Sequence, residues 1–110
     1  MKRHRSYLPQ THAALRALGG EIAIARRELG WSAAELADRL GSSPGLVGRI
    51  ERGEPGTAVG TVLEAAVLCG VPLFGVEARE LGSVASRVID KLALLPQRVR
   101  RHDIEVPDDF

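Results

Sequence analysis

The chain has 110 residues, the length of one domain or of one domain with an arm, which excludes large enzyme scaffolds such as barrels of roughly 250 residues. Hydrophobic residues make up 45% of it and aromatic residues 4%, which indicates a folded protein with an aliphatic core. The 26% of charged residues leave no apolar run long enough for a transmembrane helix, and the single cysteine excludes an internal disulfide and a cysteine-based zinc cluster. These features indicate a small cytosolic protein.

The net charge of +1 is distributed unevenly along the chain. Residues 1–53 carry nine Lys or Arg and five Asp or Glu, a net charge of +4, whereas residues 54–110 carry six and nine, a net charge of −3. A basic first half favours an anionic partner, and an acidic second half favours a different role for the rest of the chain.

The first predicted helix runs from Thr11 to Leu29, where apolar residues recur at spacings of three and four. Gly30 follows as its stop, because glycine is common in the left-handed position just after a helix. The pair Gly19-Gly20 in the middle could kink or split this helix.

Two short helices are predicted next, and both begin with capping signals. Ser32 and Glu35 have the spacing of a capping box, and they open a second helix that Gly41 ends. Ser43 is a favourable N-cap and Pro44 a favourable first residue for a third helix. The residues expected to face the core from these two helices are Leu36, Ala37, Leu40, Val47 and Ile50.

Two further helices are predicted in the second half of the chain. Thr57 is expected to cap the fourth helix, which Gly70 ends, and its predicted inner face consists of Val59, Val62, Leu63, Ala66 and Val67. The fifth helix spans about 77–95, and Pro96 stops it. Its apolar stripe, predicted to be core or dimer interface, consists of Leu81, Val84, Ala85, Val88, Leu92 and Leu95.

The segment 31–53 is the most informative, because two short capped helices joined by a tight Gly-Ser turn are typical of a helix-turn-helix. In this motif the first helix braces the second. The second helix presents its N-terminal turn, with free N–H groups and a favourable dipole, to the major groove and its phosphates. The segment therefore predicts DNA binding.

This segment resembles the Cro/C1-type (XRE) helix-turn-helix family at Ser32, Leu36, Ala37, Gly41, Ser43, Val47, Arg49, Ile50, Glu51 and Gly53. The resemblance extends over residues 26–71 and implies an ion pair between Arg26 and Glu51. It also places several residues where the family meets DNA, namely Ala33, Pro44, Gly45, Leu46 and Arg49. The predicted DNA-binding set is completed by Arg26, Ser32, Ser43 and Arg52.

The sequence departs from the family pattern at the positions that usually read bases. Ala33 stands where the family often has Gln, and no side-chain hydrogen bond is available from Pro44, Gly45, Leu46 or Gly48. Since direct readout needs donors and acceptors, we expect few base contacts, mainly phosphate contacts, and some readout of DNA shape. A contact between Leu46 and a thymine methyl group and an outright loss of DNA binding are both open alternatives.

Outside the motif the chain is similar to HipB-like antitoxins at residues 24–27, 47–53, 59–66, 71–74, 92–100 and 106–110. That resemblance implies a DNA-binding homodimer that represses its own operon and neutralises a HipA-type serine/threonine kinase toxin. The predicted partner-binding residues of the tail are Arg98, Val99, Arg100, Asp108, Asp109 and Phe110. A disordered, solubilising tail is the alternative.

No enzyme is predicted, since the chain has no Gly-rich phosphate loop, no G-x-S-x-G motif and no triad-like set. The histidines at 4, 12 and 102 are not at metal-binding spacing, and Cys69 falls at a core position as an inert thiol. Neither a metal nor a cofactor is expected.

The predicted fold is all-α, a five-helix lambda-repressor-like DNA-binding domain with a short extended C-terminal arm. Its expected parts are a basic N-terminal arm (1–10), the helix-turn-helix domain (11–75), a C-terminal helix (76–95) and the tail (96–110). The predicted function is that of a cytoplasmic antitoxin and autorepressor that binds double-stranded operator DNA as a homodimer. The alternatives are a stand-alone XRE-type regulator without a toxin partner and an adaptor that has lost DNA binding.

Overall fold

The computed structural model of the chain describes residues 6–99, and within them the fold is all-α, with five helices and no strand. This confirms the predicted fold class. The elements in chain order are α1 (Pro9–Glu28), α2 (Ala33–Leu40), α3 (Pro44–Glu51), α4 (Val59–Cys69), a 3-10 turn (Ala78–Glu80) and α5 (Leu81–Ala93). No helix in this part of the chain is long and apolar enough to cross a membrane.

Helix α1 is continuous through its glycine pair, so the break that Gly19-Gly20 could cause does not occur. Gly19 is buried where α1 crosses the end of α3, and a Cβ atom there would lie only 2.2 Å from the carbonyl oxygen of Ile50. Gly19 therefore serves close helix packing and not helix bending. The helix begins two residues earlier than expected, at Pro9, because proline is well suited to the first turn.

The predicted caps of α2 and α3 are confirmed. The Ser32 hydroxyl accepts the Glu35 N–H at 3.1 Å, and the Glu35 carboxylate accepts the Ser32 N–H at 2.8 Å. That backbone donor lowers the pKa of Glu35 because it stabilises the charged carboxylate. At α3 the Ser43 hydroxyl accepts the Leu46 N–H at 3.2 Å, which fixes the start of that helix.

Helix α4 differs from the prediction in its cap and in its inner face. Its N-cap is Ala58, and the Thr57 hydroxyl instead donates to the Glu54 carbonyl at 3.5 Å. Val59 is 72% exposed and Val67 39% exposed, so neither belongs to the inner face. The face turned inward consists of Val62, Ala65, Ala66 and Cys69, whose small side chains let α4 approach α1 and α2.

The core is aliphatic, as the low aromatic content predicts. Its largest fully buried side chains are Ile22, Leu36 and Val47, one each from α1, α2 and α3. Around them lie the other buried members of the cluster, namely Ala37, Ile50, Val62, Ala65, Ala66, Cys69 and Val71. These residues hold the two helices of the predicted motif against α1 and α4.

The predicted fifth helix begins later than expected, because residues 78–80 form a 3-10 turn before α5. No residue of α5 is buried, so its apolar stripe is not part of the core of this chain. Residues 96–99 follow without helix and are exposed, which fits the start of the predicted extended arm. Residues 1–5 and 100–110 lie outside the described part of the chain.

Candidate nucleic-acid interface

Helices α2 and α3 are joined by a tight turn at Gly41 and Ser42. Gly41 has a φ of 65°, in the left-handed region that glycine adopts readily, and the Ser42 N–H donates to the Ala37 carbonyl at 2.9 Å. The turn brings the buried Leu36 of α2 against the buried Val47 of α3. The arrangement fixes α3 on the surface of the domain, with one face packed and the other exposed.

The predicted ion pair between Arg26 and Glu51 ties α1 to the end of α3. The guanidinium donates two hydrogen bonds to the carboxylate, from Nε to Oε2 at 2.6 Å and from Nη2 to Oε1 at 3.0 Å. A third bond runs from Nη1 to the Trp31 carbonyl at 2.8 Å, just before α2. Hydrogen bonding to Glu51 raises the pKa of Arg26, so the arginine stays charged.

Arg26 is therefore a structural residue in this fold. Its side chain is only 10% exposed and that of Glu51 only 12%, and its hydrogen bonds to Glu51 and Trp31 stay within the domain. This burial removes Arg26 from the surface on which the other predicted DNA-binding residues lie. The hydrogen bonds of Arg26 therefore connect three parts of the domain: α1, the segment just before α2, and the end of α3.

The exposed face of α3 carries most of the predicted DNA-binding residues. Ser43, Pro44 and Gly45 are exposed at the N-terminal end of the helix, and Arg49 is exposed in its last turn. The first N–H groups of a helix have no partner within it, and its N-terminus is electropositive. Pro44 has no N–H and the Leu46 N–H donates to Ser43, so the Gly45 N–H is the donor that this turn leaves for a phosphate. Arg49 adds a positive charge in the last turn of the helix.

The predicted DNA-binding residues Leu46, Ser32 and Ala33 differ in how far they are exposed. Leu46 is half-buried and packs against the core, so little of its side chain is available for a thymine methyl group. Ser32 is exposed at the start of α2, whereas Ala33 is half-buried and packs against the core. The Ser32 hydroxyl oxygen already accepts a cap hydrogen bond, but its proton is available to a phosphate oxygen.

Arg52 lies on the same exposed side of α3 and is held in place by two neighbours. Its Nε donates to Glu54 Oε2 at 2.9 Å, and its Nη1 lies 3.1 Å from the point where a Cβ atom of Gly48 would stand. The guanidinium therefore lies over a gap in the side chains of α3. The hydrogen bond to Glu54 uses Nε, so the Nη donors can bind a DNA oxygen.

Comparison with family models identifies the motif. The model of a helix-turn-helix domain matches residues 17–81, more than half of the chain. The chain belongs to this helix-turn-helix family. A comparison with curated proteins and one with solved structures gave no match. The match is consistent with the XRE-like resemblance of the sequence, and it supports a DNA-binding regulator.

Three contacts of this helix-turn-helix domain were missed by sequence reasoning. One is the stacking of Arg39 on Trp31, whose ring centroid lies 4.1 Å from the guanidinium carbon. The others are the Gly48 gap and the Glu54 contact that together position Arg52. The signal in the sequence for the position of Arg52 is the four-residue spacing of Gly48 and Arg52, which places both on one face of the helix end.

Of the predicted tail residues, only Arg98 and Val99 lie in the described part of the chain, and both are exposed. Arg100, Asp108, Asp109 and Phe110 lie outside it. Cys69 is buried, and burial raises the pKa of its thiol, so the thiol is protonated at neutral pH. Within residues 6–99 no group of three His, Cys, Asp or Glu side chains is placed to hold a metal ion.

Proposed function

We propose that the protein is a cytoplasmic transcriptional autorepressor that binds operator DNA as a homodimer and serves as the antitoxin of a HipA-type kinase. It acts by binding and not by catalysis, without a cofactor. The observation that carries the DNA-binding part is the exposed face of α3, with Ser43 at its start and Arg49 in its last turn, on a helix braced by the Arg26–Glu51 ion pair.

The mode of DNA recognition follows from what α3 exposes. Pro44, Gly45 and Gly48 have no side-chain hydrogen-bonding group, which leaves Ser43, Arg49 and Arg52 as the polar side chains of this face. Arginine donates well to phosphate oxygens, and phosphate contacts position a protein without reading sequence. We therefore infer that affinity is mostly ionic and that specificity depends largely on DNA shape.

The direct test is a titration of the protein against the DNA upstream of its own gene. Arg49→Ala should weaken binding about tenfold, equivalent to one lost charge-assisted contact of about 1.4 kcal/mol. Arg79→Ala is the matched control, because Arg79 is equally charged and exposed but lies on the 3-10 turn. Equal affinities for the Arg49→Ala and wild-type proteins would remove Arg49 from the interface.

The salt dependence of the same titration tests the ionic mode. Each phosphate contact releases condensed counterions, so log K should fall linearly with log salt, and Arg49→Ala should reduce the slope by about one. A flat salt response of the wild-type protein would contradict a phosphate-dominated interface.

A homodimer is proposed because one α3 covers only a half-site. Two copies related by a twofold axis place two contact helices one helical turn of DNA apart, so an operator with two half-sites binds far more tightly than one half-site. A single α3 exposes few polar side chains, so this gain in affinity is more important here than for a contact helix rich in polar residues.

The antitoxin part of the proposal rests on the resemblance of the C-terminal segments to HipB-like proteins. An acidic tail that ends in Phe110, with Asp108 and Asp109 before it, suits a basic nucleotide or substrate groove of a kinase. Residues 98–100 alternate in polarity, as a strand added to a partner's sheet would. The exposure of Arg98 and Val99 is compatible with this role.

Co-expression with the neighbouring reading frame tests the antitoxin part. The full chain should retain a kinase-sized partner in a pull-down and restore growth, whereas a chain truncated after Pro96 should lose both effects. If neither chain retains a partner while both still bind the upstream DNA, the protein is a stand-alone regulator. If the partner is retained but no DNA binds, it is an adaptor built on the same fold.

A further inference from the structure

A small pocket lies where the start of α4 meets the first half of α1. Its volume is about 170 Å³. Leu15 and Leu18 of α1 line one wall, and Val62 and Leu63 of α4 line another. Val62 is buried and belongs to the core, and Leu18 packs against the same core. The pocket therefore reaches from the surface of the domain to the edge of its core.

The connection between α3 and α4 forms a further side of the pocket. Residues 55–57 line it there, and Val59, which is 72% exposed, lies at its rim. Tyr7 joins the lining from the segment before α1, where its ring packs edge-on against His12 at a centroid distance of 5.9 Å. Three separate parts of the chain thus surround one space, and no charged side chain is among the described residues that line it.

The size and the lining of the pocket fit a single ring. A cavity of roughly 150 Å³ that is lined by apolar side chains stays dry and binds benzene. The pocket here is of similar size, so it has room for a benzene ring with one or two small substituents. A charged group would lose its hydration here without an opposite charge in the described lining, so the ligand that fits is neutral.

Thr57 supplies the pocket with a hydroxyl group that is only weakly engaged. This hydroxyl donates to the Glu54 carbonyl at 3.5 Å, whereas O–H···O hydrogen bonds are ordinarily about 2.7–2.8 Å long. A bond of that length is easily exchanged for a shorter one. A phenol can therefore take the Thr57 hydrogen bond while its ring lies against the leucines of α1 and α4.

The same connection joins the pocket to the proposed DNA-binding face through two contacts. Thr57 contacts the Glu54 carbonyl, and the Glu54 carboxylate accepts the Arg52 Nε–H at 2.9 Å. Gly53, at the start of the connection, is held against α1: its φ is 73°, and an added Cβ atom would lie 2.6 Å from a backbone nitrogen of that helix. Since Gly53 is fixed, a displacement at Thr57 falls on residues 54–56, and Glu54 is the residue that positions Arg52.

We propose that this pocket binds a neutral, single-ring aromatic molecule with one hydroxyl group, and that its occupation weakens operator binding. The ligand takes the Thr57 hydroxyl from the Glu54 carbonyl, which displaces the Glu54 carboxylate and Arg52 with it. The regulatory part rests on the proposed DNA-binding function, whereas the pocket itself does not. Coupling between two binding sites is reciprocal, so operator DNA weakens binding of the ligand by the same factor.

The first experiment tests the pocket with p-cresol as the probe and needs no DNA. Titration of the isotope-labelled full chain should shift the backbone amide resonances of Thr57 and Leu63, with a dissociation constant on the order of 1 mM for a ligand of about eight non-hydrogen atoms. Leu63→Trp fills the pocket and should abolish these shifts. Val67→Trp is the matched control, because it adds the same ring one turn further along α4, at a residue that does not line the pocket.

The contrary results are specific to the pocket. Absence of amide shifts at p-cresol concentrations on the order of 5 mM, several times the expected dissociation constant, would overturn the site. Shifts of equal size in Leu63→Trp, with circular dichroism that shows a folded chain, would overturn it as well.

Thr57→Val gives an independent test, because valine keeps the shape of threonine and removes the hydroxyl group. Binding of p-cresol should weaken about fivefold, the effect of one lost hydrogen bond. Binding of toluene, which has no hydroxyl group, should stay the same. An unchanged affinity for p-cresol would overturn the hydrogen bond assigned to Thr57.

Fluorescence anisotropy with the DNA upstream of the gene tests the regulatory part. Saturating p-cresol should weaken operator binding of the wild-type protein about fivefold, at the low end of ordinary coupling between sites, and should leave that of Leu63→Trp unchanged. No change in the wild-type protein, or an equal change in both, would overturn the coupling. A chain that binds p-cresol but no DNA would refute the proposed function and the regulatory part, while the pocket stands on the first experiment.

Discussion

The contact between α1 and the end of α3 should be sensitive to a single methyl group at Gly19. A Cβ atom added there would stand 2.2 Å from the Ile50 carbonyl oxygen and 2.9 Å from that of Glu51, well inside van der Waals contact. Both neighbours are backbone atoms of a packed helix, so no side-chain rotation relieves the overlap. Gly19→Ala must therefore push α1 and α3 apart by about 1 Å.

The magnitude of the effect is a balance of two terms. Alanine in a helix interior is favoured over glycine by about 1 kcal/mol, which opposes the overlap. Overpacking of this kind costs about 1–3 kcal/mol or more, and the displacement also disturbs the Arg26–Glu51 hydrogen bonds across the same junction. We expect a net loss of about 2 kcal/mol, a large part of the stability of a small domain.

Urea unfolding followed by circular dichroism measures this loss, and Gly20→Ala is the matched control. A Cβ atom at Gly20 meets nothing within 4 Å, so that variant should gain about 0.5–1 kcal/mol from helix propensity alone. The two adjacent substitutions should therefore shift the midpoint in opposite directions, with Gly19→Ala losing about 1–2 M urea. Equal stabilisation by both would refute the close approach of α1 to α3.

Three further predictions concern the ion pair, the capping box and the Arg52 contact. Arg26→Met should lower the free energy of unfolding by about 3 kcal/mol because it leaves the Glu51 carboxylate partly buried and unpaired, and adding Glu51→Leu should recover most of that loss in the same urea assay. The folded-state pKa of Glu35 is lowered, so the stabilisation from its charged carboxylate is present at neutral pH and is lost as the pH falls through that pKa. Tm should therefore fall less steeply between pH 6 and pH 3 in Glu35→Gln than in the wild-type protein, and an identical fall would contradict the capping box. Gly48→Ala should raise helix stability but displace Arg52, because the added Cβ atom would lie against its guanidinium group. Operator binding, measured by fluorescence anisotropy, should weaken about fivefold, and an unchanged affinity would show that DNA binding does not depend on the position of Arg52.

The elements that the sequence predicts well are those whose signals are local. Ser32 with Glu35, and Ser43 with Pro44, determine where α2 and α3 begin, because the cap hydrogen bonds form within four residues of chain. Gly41 ends α2 for an equally local reason, its left-handed backbone. The helix-turn-helix motif is therefore predictable almost residue by residue.

The elements that were predicted incorrectly depend on contacts between distant segments. Gly19 has the sequence signature of a kink, and only the passage of α3 across it shows that it is a packing site. The α4 sequence is apolar on several sides, so its periodicity cannot decide between Val59 and Ala65 as the inward residue. Leu46 likewise belongs to the motif by position but is turned partly into the core.

The small number of polar side chains on α3 and the exposed apolar face of α5 both bear on how tightly the protein binds an operator. On its exposed face α3 has Ser43, Arg49 and Arg52 as polar side chains, so we expect it to bind a single half-site weakly and the proposed regulator to need two coupled half-sites. Leu92 belongs to the apolar stripe of α5, which the sequence predicts as core or dimer interface and which is not part of the core. Leu92→Glu should then reduce affinity for a two-half-site operator at least 100-fold while affinity for one half-site stays the same, both measured by fluorescence anisotropy at one salt concentration. If affinity for the two-half-site operator is unchanged, α3 binds tightly enough alone, and the apolar face of α5 serves another partner.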